Sequence, residues 1–597
     1  MGIKISRIRI NNFRSIKNIS LDLDDYTILV GKNNCGKSNI IQAINLAFSF
    51  SNVEKEDICV SVAEPFDFNR KIVIDVKIMP VDPKGNYIKN FNDKWTLAFG
   101  ESIMIEDSED SEFFAFRTEI NYDNEKEHYS NKKLEITLWS DVGECETGKA
   151  ISRYALEHIE NIFVNAQRDV SADIKDKTSL WSKMTSNINV PTSTRTKIEK
   201  QLNTLNGKIV NGSDILKLIR STLKSTTGDM ESAVDISPIT KDIESLYKGM
   251  NIYYGNERSQ PMAVENLGLG VRSWAVFSTA KAAILSKSNK RVAQEIAFHP
   301  LVLIEEPEAH IHPQAQRQLF SDANGMIGQK VITTHSPYIL SQVPLEKIRY
   351  VKKVGAFTEV SPLLVNDLSP DEIRKINRTV MNTRGEILYA NAVILAEGET
   401  EEQALTIFLR EYFDKEPFEL GINIVGVGGK IYPPFIQLLE RLGIKWYIFS
   451  DGENDAVSSL KSQLKDLYNY EIEKELSEYP NVFVLENGNC IETYFLEQGY
   501  ANEIRRAVNT YEGSKDFINN YISNMNGQKA RKGVLRDYIS AGGEERAIRD
   551  CMLGGKTDYA TCIATEICKL KNRKRKFPPK IKALFDTIKK DLMVGDK

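Results

Sequence analysis

Cysteine is scarce and carries no metal-ligand spacing. The 597-residue chain has seven cysteines and no C-x-x-C pair. That excludes a structural zinc site and fits a reduced, cytoplasmic protein. Positive charge is not in excess either. The formal net charge is −4, so a nucleic-acid partner would have to use local basic patches. No apolar run approaches the ~18 residues of a membrane span. The first residues, MGIKISRIRI, have no signal-peptide apolar region and alternate like a strand. No long heptad run is present, which excludes a long coiled-coil arm. What remains is an ordinary globular composition, 41% hydrophobic and 27% charged, with length for roughly three to five structural units.

What is present starts at Tyr26–Ile44, YTILVGKNNCGKSNIIQAI. An apolar run stops at Gly31, four residues intervene, and Gly36-Lys37-Ser38 opens a segment of helical apolar spacing. This is G-x-x-x-x-G-K-S between a strand and a helix. The glycines let backbone N–H groups, Asn34 among them, curl round a phosphate. The helix N-terminus adds its dipole. Lys37 is expected to reach the β/γ-phosphates of ATP and the Ser38 hydroxyl to ligate Mg²⁺.

Around the loop, Ile3–Ile10 and Tyr26–Val30 read as strands, and residues 55–140 alternate as a mostly antiparallel β region, with an acidic loop at Glu106–Glu112. A helix is expected over Ile151–Ile159, then a buried strand at Asn161–Val164. Gln167 lies just past that strand's C-terminal end, where α/β ligands sit, in reach of the Mg²⁺ or its water. Helical spacing returns in Ile198–Leu205, Ile215–Leu223 and Ile239–Met250, a helical insertion whose simplest role is protein–protein contact.

A second Gly-rich helix start, Gly268-Leu269-Gly270-Val271-Arg272-Ser273, leads into an apolar helix at Trp274–Leu285. Its backbone donors suit a phosphate. Two such helix starts but one G-x-x-x-x-G-K-S loop imply a nucleotide shared between two chains. The apolar strand Leu301–Ile304 ends in Glu305-Glu306-Pro307-Glu308. Glu305 is expected in the Mg²⁺ shell and Glu306 polarising the attacking water. Val331–Thr334 is another strand, ending in His335-Ser336-Pro337 with His335 placed for the γ-phosphate. Together the loop, Gly268–Ser273, the double Glu and His335 resemble the ABC-type ATPase head of RecF and SMC proteins. An Asp is commoner in that head where Glu305 stands.

The chain then starts again. Ala392–Ala396 is an apolar strand ending in Glu397-Gly398-Glu399-Thr400-Glu401, and Trp446–Phe449 ends in Ser450-Asp451-Gly452-Glu453-Asn454-Asp455. Strands alternating with helices mean a parallel sheet, which brings both acidic strand ends to one rim. Clustered carboxylates repel and ask for a cation, and oxygen donors without His or Cys favour Mg²⁺ or Mn²⁺. The EGxTE strand end and the acidic turn resemble a Toprim domain. Glu492 and the segment around Lys556 resemble further features of the OLD (overcoming lysogenization defect) family, which includes the nuclease subunit of Gabija-type phage defence. The resemblance covers nearly the whole chain. It departs at the second acidic motif, where Asp451-Gly452-Glu453 stands for Asp-x-Asp, so either Glu453 or Asp455 is the ligand.

The resemblance implies an α/β fold: an ABC-type ATPase head with a helical insertion, followed by a Toprim parallel-sheet domain. The expected boundaries are ATPase at 1–169 and 256–376, insertion at 170–255, linker at 377–390 and Toprim with a helical extension at 391–597. It implies an ATP-regulated, metal-dependent DNA endonuclease or nickase. Two metals would be held by Glu397, Glu401, Asp451, Glu453 or Asp455, and Glu492, with Lys556 offsetting charge on the phosphate. DNA, a homodimer or larger homo-oligomer, and a helicase-like protein are the implied partners. Basic clusters at Lys529–Arg536 and Lys569–Lys576 are candidate phosphate contacts. The rival readings are a Toprim topoisomerase or primase, for which the sequence shows no partner tyrosine domain, and a DNA clamp or sensor with a non-cleaving Toprim domain.

Overall fold

The two strand-rich halves of the sequence fold as two units in the computed structural model. One comprises residues 1–339 and 347–360, the other 340–346 and 361–597. The structure describes residues 2–49, 53–60, 67, 69–106, 110–123, 128–141, 143–165, 191–216, 253–254, 262–263, 266, 268–363, 368–381, 385–428, 431–529 and 534–593. Of the proposed helical insertion, the described part is chiefly one long helix, Thr192–Gly212. Ile239–Met250, most of Ile215–Leu223, and Gln167 lie outside the described residues.

The first unit is built on strands β1 (Ile3–Phe13), β2 (Ile16–Asp22) and β3 (Tyr26–Val30), helix α1 (Lys37–Phe48), and strands β4 (Ile72–Pro80), β5 (Ile103–Glu106), β6 (Ser111–Asp123), β7 (His128–Leu138), β8 (Glu146–Ala150) and β9 (Ile159–Val164). After these come helix α2 (Leu269–Ala293), β10 (His299–Glu305), helix α3 (Pro313–Asn324), β11 (Gln329–Thr333), β12 (Ile348–Val354) and β13 (Phe357–Pro362). One sheet is antiparallel, in the order β2-β1-β4-β6-β7-β8 with β5 beside β6. The other runs β13-β12-β3-β11-β10-β9, and the five strands from β12 to β9 are parallel.

Helix α1 packs between these sheets. Ile40, Ile41, Ala43, Ile44 and Ala47 are all fully buried and join one core with Ile8, Ile74 and Phe116 of the antiparallel sheet and Leu29, Leu303 and Val331 of the parallel one. Apolar residues on every side of a helix are unusual for a surface element and match its sandwiched position. Each buried isoleucine contributes roughly 1.5–3 kcal/mol relative to exposure. The far end of α1 is closed by Lys133, whose ammonium donates to the Ala47 carbonyl and to Thr118 Oγ1 (3.0 Å). A donor there satisfies one of the helix's last carbonyls, while burial lowers the Lys133 pKa to about 7.

Two sequence expectations change. The chain from Ile3 to Val30 holds three strands, because residues 14–15 form a tight turn with Arg14 in the left-handed region (φ 49°) and Ile16 pairs back on Phe13. The expected helix at Ile151–Ile159 shrinks to one turn, Arg153–Leu156, capped by Ser152. It stops because Ile159 is already paired with His299 in the parallel sheet.

The second unit carries β14 (Ala392–Ala396), α4 (Glu399–Phe413), β15 (Ile422–Gly426), α5 (Pro433–Leu442), β16 (Lys445–Ser450), α6 (Asn454–Leu467) and β17 (Val482–Val484), with the strands parallel in the order β15-β14-β16-β17. Helices α7 (Ile491–Glu497), α8 (Ala501–Tyr511), α9 (Gly543–Gly554), α10 (Lys556–Cys568) and α11 (Pro579–Met593) follow. Phe408, Phe449, Phe495, Ile563 and Phe585 meet in its core. Residues 385–389 form a 3-10 turn with Ile387 and Leu388 buried. The chain goes from β14 to β15 on one side and then crosses to β16 on the other. That reversal opens a crevice at the C-terminal ends of β14 and β16, the place where open α/β sheets bind ligands.

His299, in β10, is 1% exposed, and neither ring nitrogen has a partner within hydrogen-bond distance. Burial pushes its pKa down to about 4 from the ordinary 6.5. The unfolded chain therefore takes up a proton as the pH falls through 6.5 while the folded chain does not, so stability is full above 6.5 and is lost toward 4. Denaturant unfolding of the first unit should lose on the order of 2 kcal/mol between pH 7 and 5 from this group. The loss should be smaller in His299→Asn.

Candidate functional site

Parallel register sets the first site. Leu29 pairs with Thr333, and Thr333 pairs with Glu305. The loop after β3, the double Glu after β10 and His335 after β11 therefore emerge at one sheet edge. They border an open cleft of about 890 Å³ whose lining includes Asn34, Gly36, Lys37, Ser38, Glu306 and His335. Gly36 has φ +107°, and a Cβ there would lie 2.1 Å from Thr358 Oγ1, so only glycine fits. It is also the N-cap of α1 and makes no side-chain cap, which leaves the helix's first amides facing the cleft.

Lys37 is buried and folds back on its own loop, donating to the carbonyls of Gly31 and Lys32, both at 3.0 Å. Burial lowers its pKa, opposed by Cys35 and Glu306. An arriving phosphate would offer it a stronger, charge-assisted acceptor. Glu305 ends β10 with its side chain buried. Glu306 sits in the left-handed region at φ 43°, a strained position for a side-chain-bearing residue, with its amide held by Thr333 O at 3.1 Å. Its Oε1 is 3.6 Å from His335 Nε2. Burial and the nearby Lys37 push His335 down to about 4, so the imidazole is neutral at ordinary pH.

Sequence reasoning passed over Glu308. Its Oε1 accepts from Thr334 Oγ1 at 2.8 Å and from the His335 amide at 2.5 Å, tying the ends of β10 and β11 together. Its place in EEPE was the available signal. Gly268, Gly270 and Ser273 begin α2 and are not among the residues lining the cleft; Gly270 lies against the His310 carbonyl.

The second site lies at the crevice between β14 and β16. Glu397 Oε2 accepts from Ser450 Oγ (3.2 Å) and from the Asp451 amide (3.3 Å), so the two strand ends meet through it. Glu401, one turn into α4, accepts from the Gly398 amide at 2.9 Å and is 6% exposed. Burial pushes its carboxyl up, and the charges of Glu492 and Glu397 add to that. Glu492, near the start of α7, is 3% exposed. Gly452 brings this together: its amide donates to Asn489 O at 2.8 Å, and a Cβ would lie 2.0 Å from Leu485 O.

Glu453 caps α6 and Asp455 lies in its first turn, both exposed. Lys556 begins α10 in backbone, with its side chain outside the described residues. Among the described residues, no three Asp, Glu, His or Cys groups converge closely enough to hold a metal as they stand. The donor chemistry nevertheless fits a hard divalent cation. The groups are all carboxylates, two are buried, and the charges of Glu492 and Glu397 add to the cost of ionising Glu401. Glu397 and Glu401 accept from the backbone amides of Asp451 and Gly398.

A phosphate loop on a helix buried between two sheets, followed by a parallel-sheet unit with carboxylates at its switch point, defines an ABC-type ATPase head joined to a Toprim domain. Residues 3–340 match the model of the AAA ATPase domain, and residues 388–452 match that of the overcoming lysogenization defect protein-like TOPRIM domain. The chain belongs to that AAA ATPase-domain family, and the second match is to an overcoming lysogenization defect protein-like TOPRIM domain that follows it. It is 23% identical over 577 residues to the Old nuclease of Escherichia phage P2, spanning 92% of this chain and 93% of that one. It is 23% identical over 480 residues to Endonuclease GajA of Bacillus cereus strain VD045, 76% of this chain and 75% of that one. It is 25% identical over 257 residues to the uncharacterized protein YbjD of Escherichia coli K12. That match spans 42% of this chain and under half, 45%, of YbjD.

Replacing Lys37 tests the first site. Lys37→Ala removes a charge-assisted bond of roughly 1.5–3 kcal/mol, so ATP affinity should fall about 10- to 100-fold in a fluorescent-nucleotide titration. Unchanged affinity would mean that Lys37 stays on its loop carbonyls when the nucleotide binds.

Proposed function

We propose that the chain is an ATP-regulated, divalent-metal-dependent DNA endonuclease or nickase that acts in the cytoplasm in defence against phage. The observation that carries this reading is the meeting of Glu397 and Asp451 at the switch point of a parallel sheet, within the span that matches the TOPRIM model. Its relatives' names, Old nuclease and Endonuclease GajA, support the same chemistry.

Glu397 and Asp451 act as the central metal ligands. Glu401, Glu492, and Glu453 or Asp455 complete the set, and Lys556 offsets charge on the pentavalent phosphate. Two bound Mg²⁺ or Mn²⁺ ions would supply an activated water and a stabilised leaving oxygen. The exposed positions of Glu453 and Asp455 let either turn toward an incoming ion. In the ATPase unit, Asn34, Gly36 and Lys37 cradle the phosphates, and Ser38, Glu305 and Gln167 serve the Mg²⁺ shell. Glu306 polarises water, and His335 meets the γ-phosphate as a neutral donor. Gly268, Gly270 and Ser273 are not among the described residues lining the cleft of their own chain, which supports a role against the nucleotide of a second copy and hence a homodimer or larger homo-oligomer. A helicase-like protein is the further partner proposed. A non-cleaving DNA clamp is the alternative, favoured only by the lack of three converging metal-binding groups among the described residues.

Supercoiled plasmid tests this reading. With Mn²⁺ or Mg²⁺ the protein should nick or linearise it, and Glu397→Ala or Asp451→Ala should slow that about a thousandfold, on the order of 4 kcal/mol in barrier. Lys37→Ala should still cut but lose its response to ATP. Of Glu453→Ala and Asp455→Ala, the larger loss marks the ligand. Intact plasmid under every metal and nucleotide condition would leave the clamp.

A further inference from the structure

Tyr432 is the residue of the second unit that the metal reading does not use. It caps α5, and its backbone is fixed by Gln463, whose Oε1 accepts from the Tyr432 amide at 3.0 Å. The whole residue is 1% exposed, and its hydroxyl makes no well-formed hydrogen bond although it faces the Ser450 side chain. A buried hydroxyl left without a partner costs about 1–3 kcal/mol. The groups it faces are Ser450 and the charges of Glu397, Glu401 and Asp451. An apolar ring there would fill the same space at no such cost, so the hydroxyl marks a polar contact made in another state of this site.

Ser450 supplies the connection. Its single proton is directed at Glu397 Oε2 (3.2 Å), with the Asp451 carbonyl at 3.3 Å as the alternative acceptor. Its lone pairs remain free to accept. We infer that Tyr432 is a positioning residue for the carboxylate site: when a divalent cation is bound, its hydroxyl donates to Ser450, which fixes the Ser450 proton on Glu397 and the orientation of that carboxylate. This rests on the metal-dependent reading above and names a residue outside the ligand set. The phenol contributes no proton to the reaction and no direct ligand. It removes a rotational freedom from the acceptor of the central bridge between β14 and β16. Hydrogen bonds behind metal ligands of this kind are worth about 10- to 100-fold in metal affinity.

The test is a double-mutant cycle read by Mn²⁺ binding to the full-length, metal-stripped protein, with free Mn²⁺ followed by electron paramagnetic resonance. Tyr432→Phe keeps the ring. It should leave the thermal midpoint of the metal-free protein unchanged or slightly higher, because an orphaned hydroxyl is gone. It should weaken Mn²⁺ binding about tenfold and shrink the Mn²⁺-induced rise in thermal midpoint. Ser450→Ala should weaken binding similarly, and the double variant should be no worse than Ser450→Ala, because both act through one chain of bonds. Mn²⁺ affinity of Tyr432→Phe equal to wild type overturns the inference and leaves the nuclease reading intact. Additive losses also overturn it, since Tyr432 would then not act through Ser450. A wild-type protein that binds no Mn²⁺ overturns both.

Discussion

Like charges cannot be crowded at a buried sheet edge without a reason for keeping them there. In the second unit Glu397, Glu401 and Glu492 are brought together by the reversal of strand order between β15 and β16, and two of them are buried. The electrostatic cost is visible in Glu401, pushed up by burial and by its two neighbours. Replacing them with apolar residues of the same size would stabilise the fold, so their presence is the reason for proposing that they hold a ligand. The rest of the unit serves that edge. Gly452 allows the close approach of the Leu485 carbonyl, and the helical extension covers the sheet with an apolar core.

The first unit answers to a different constraint. Its phosphate loop is mounted on a helix gripped by two sheets, so the loop cannot shift without disturbing the core. The moving parts are side chains at the cleft. Lys37 rests on its own carbonyls, and Glu306 sits in a strained backbone conformation beside a neutral His335. A nucleotide would exchange those internal contacts for contacts to phosphate. The binding energy would be felt as side-chain rearrangement at one sheet edge.

The parts of this architecture legible in the sequence were those set by strong local chemistry. The Gly31–Ser38 loop, the apolar strands ending in Glu305, His335, Glu397 and Asp451, and the parallel order of the second sheet follow from glycine placement and apolar runs. The turn at Arg14 was hidden because a non-glycine residue in the left-handed region leaves no compositional mark. The helix before β9 was overextended because its apolar spacing serves the parallel sheet instead. Glu308 and Tyr432 were passed over because their neighbours are distant in sequence: Thr334 and His335 for one, Ser450 and three carboxylates for the other. The identity of the ligand between Glu453 and Asp455 is not written in local spacing, since both sit exposed at the start of α6.

The carboxylates at the β14–β16 edge are proposed to hold divalent metal for cutting DNA. Anomalous diffraction from crystals grown with Mn²⁺ addresses that proposal most directly. Anomalous density is expected among Glu397, Asp451 and Glu492, with Glu401 turned from the Gly398 amide toward it. No density there, in crystals of protein that cuts DNA in the same Mn²⁺, would contradict it.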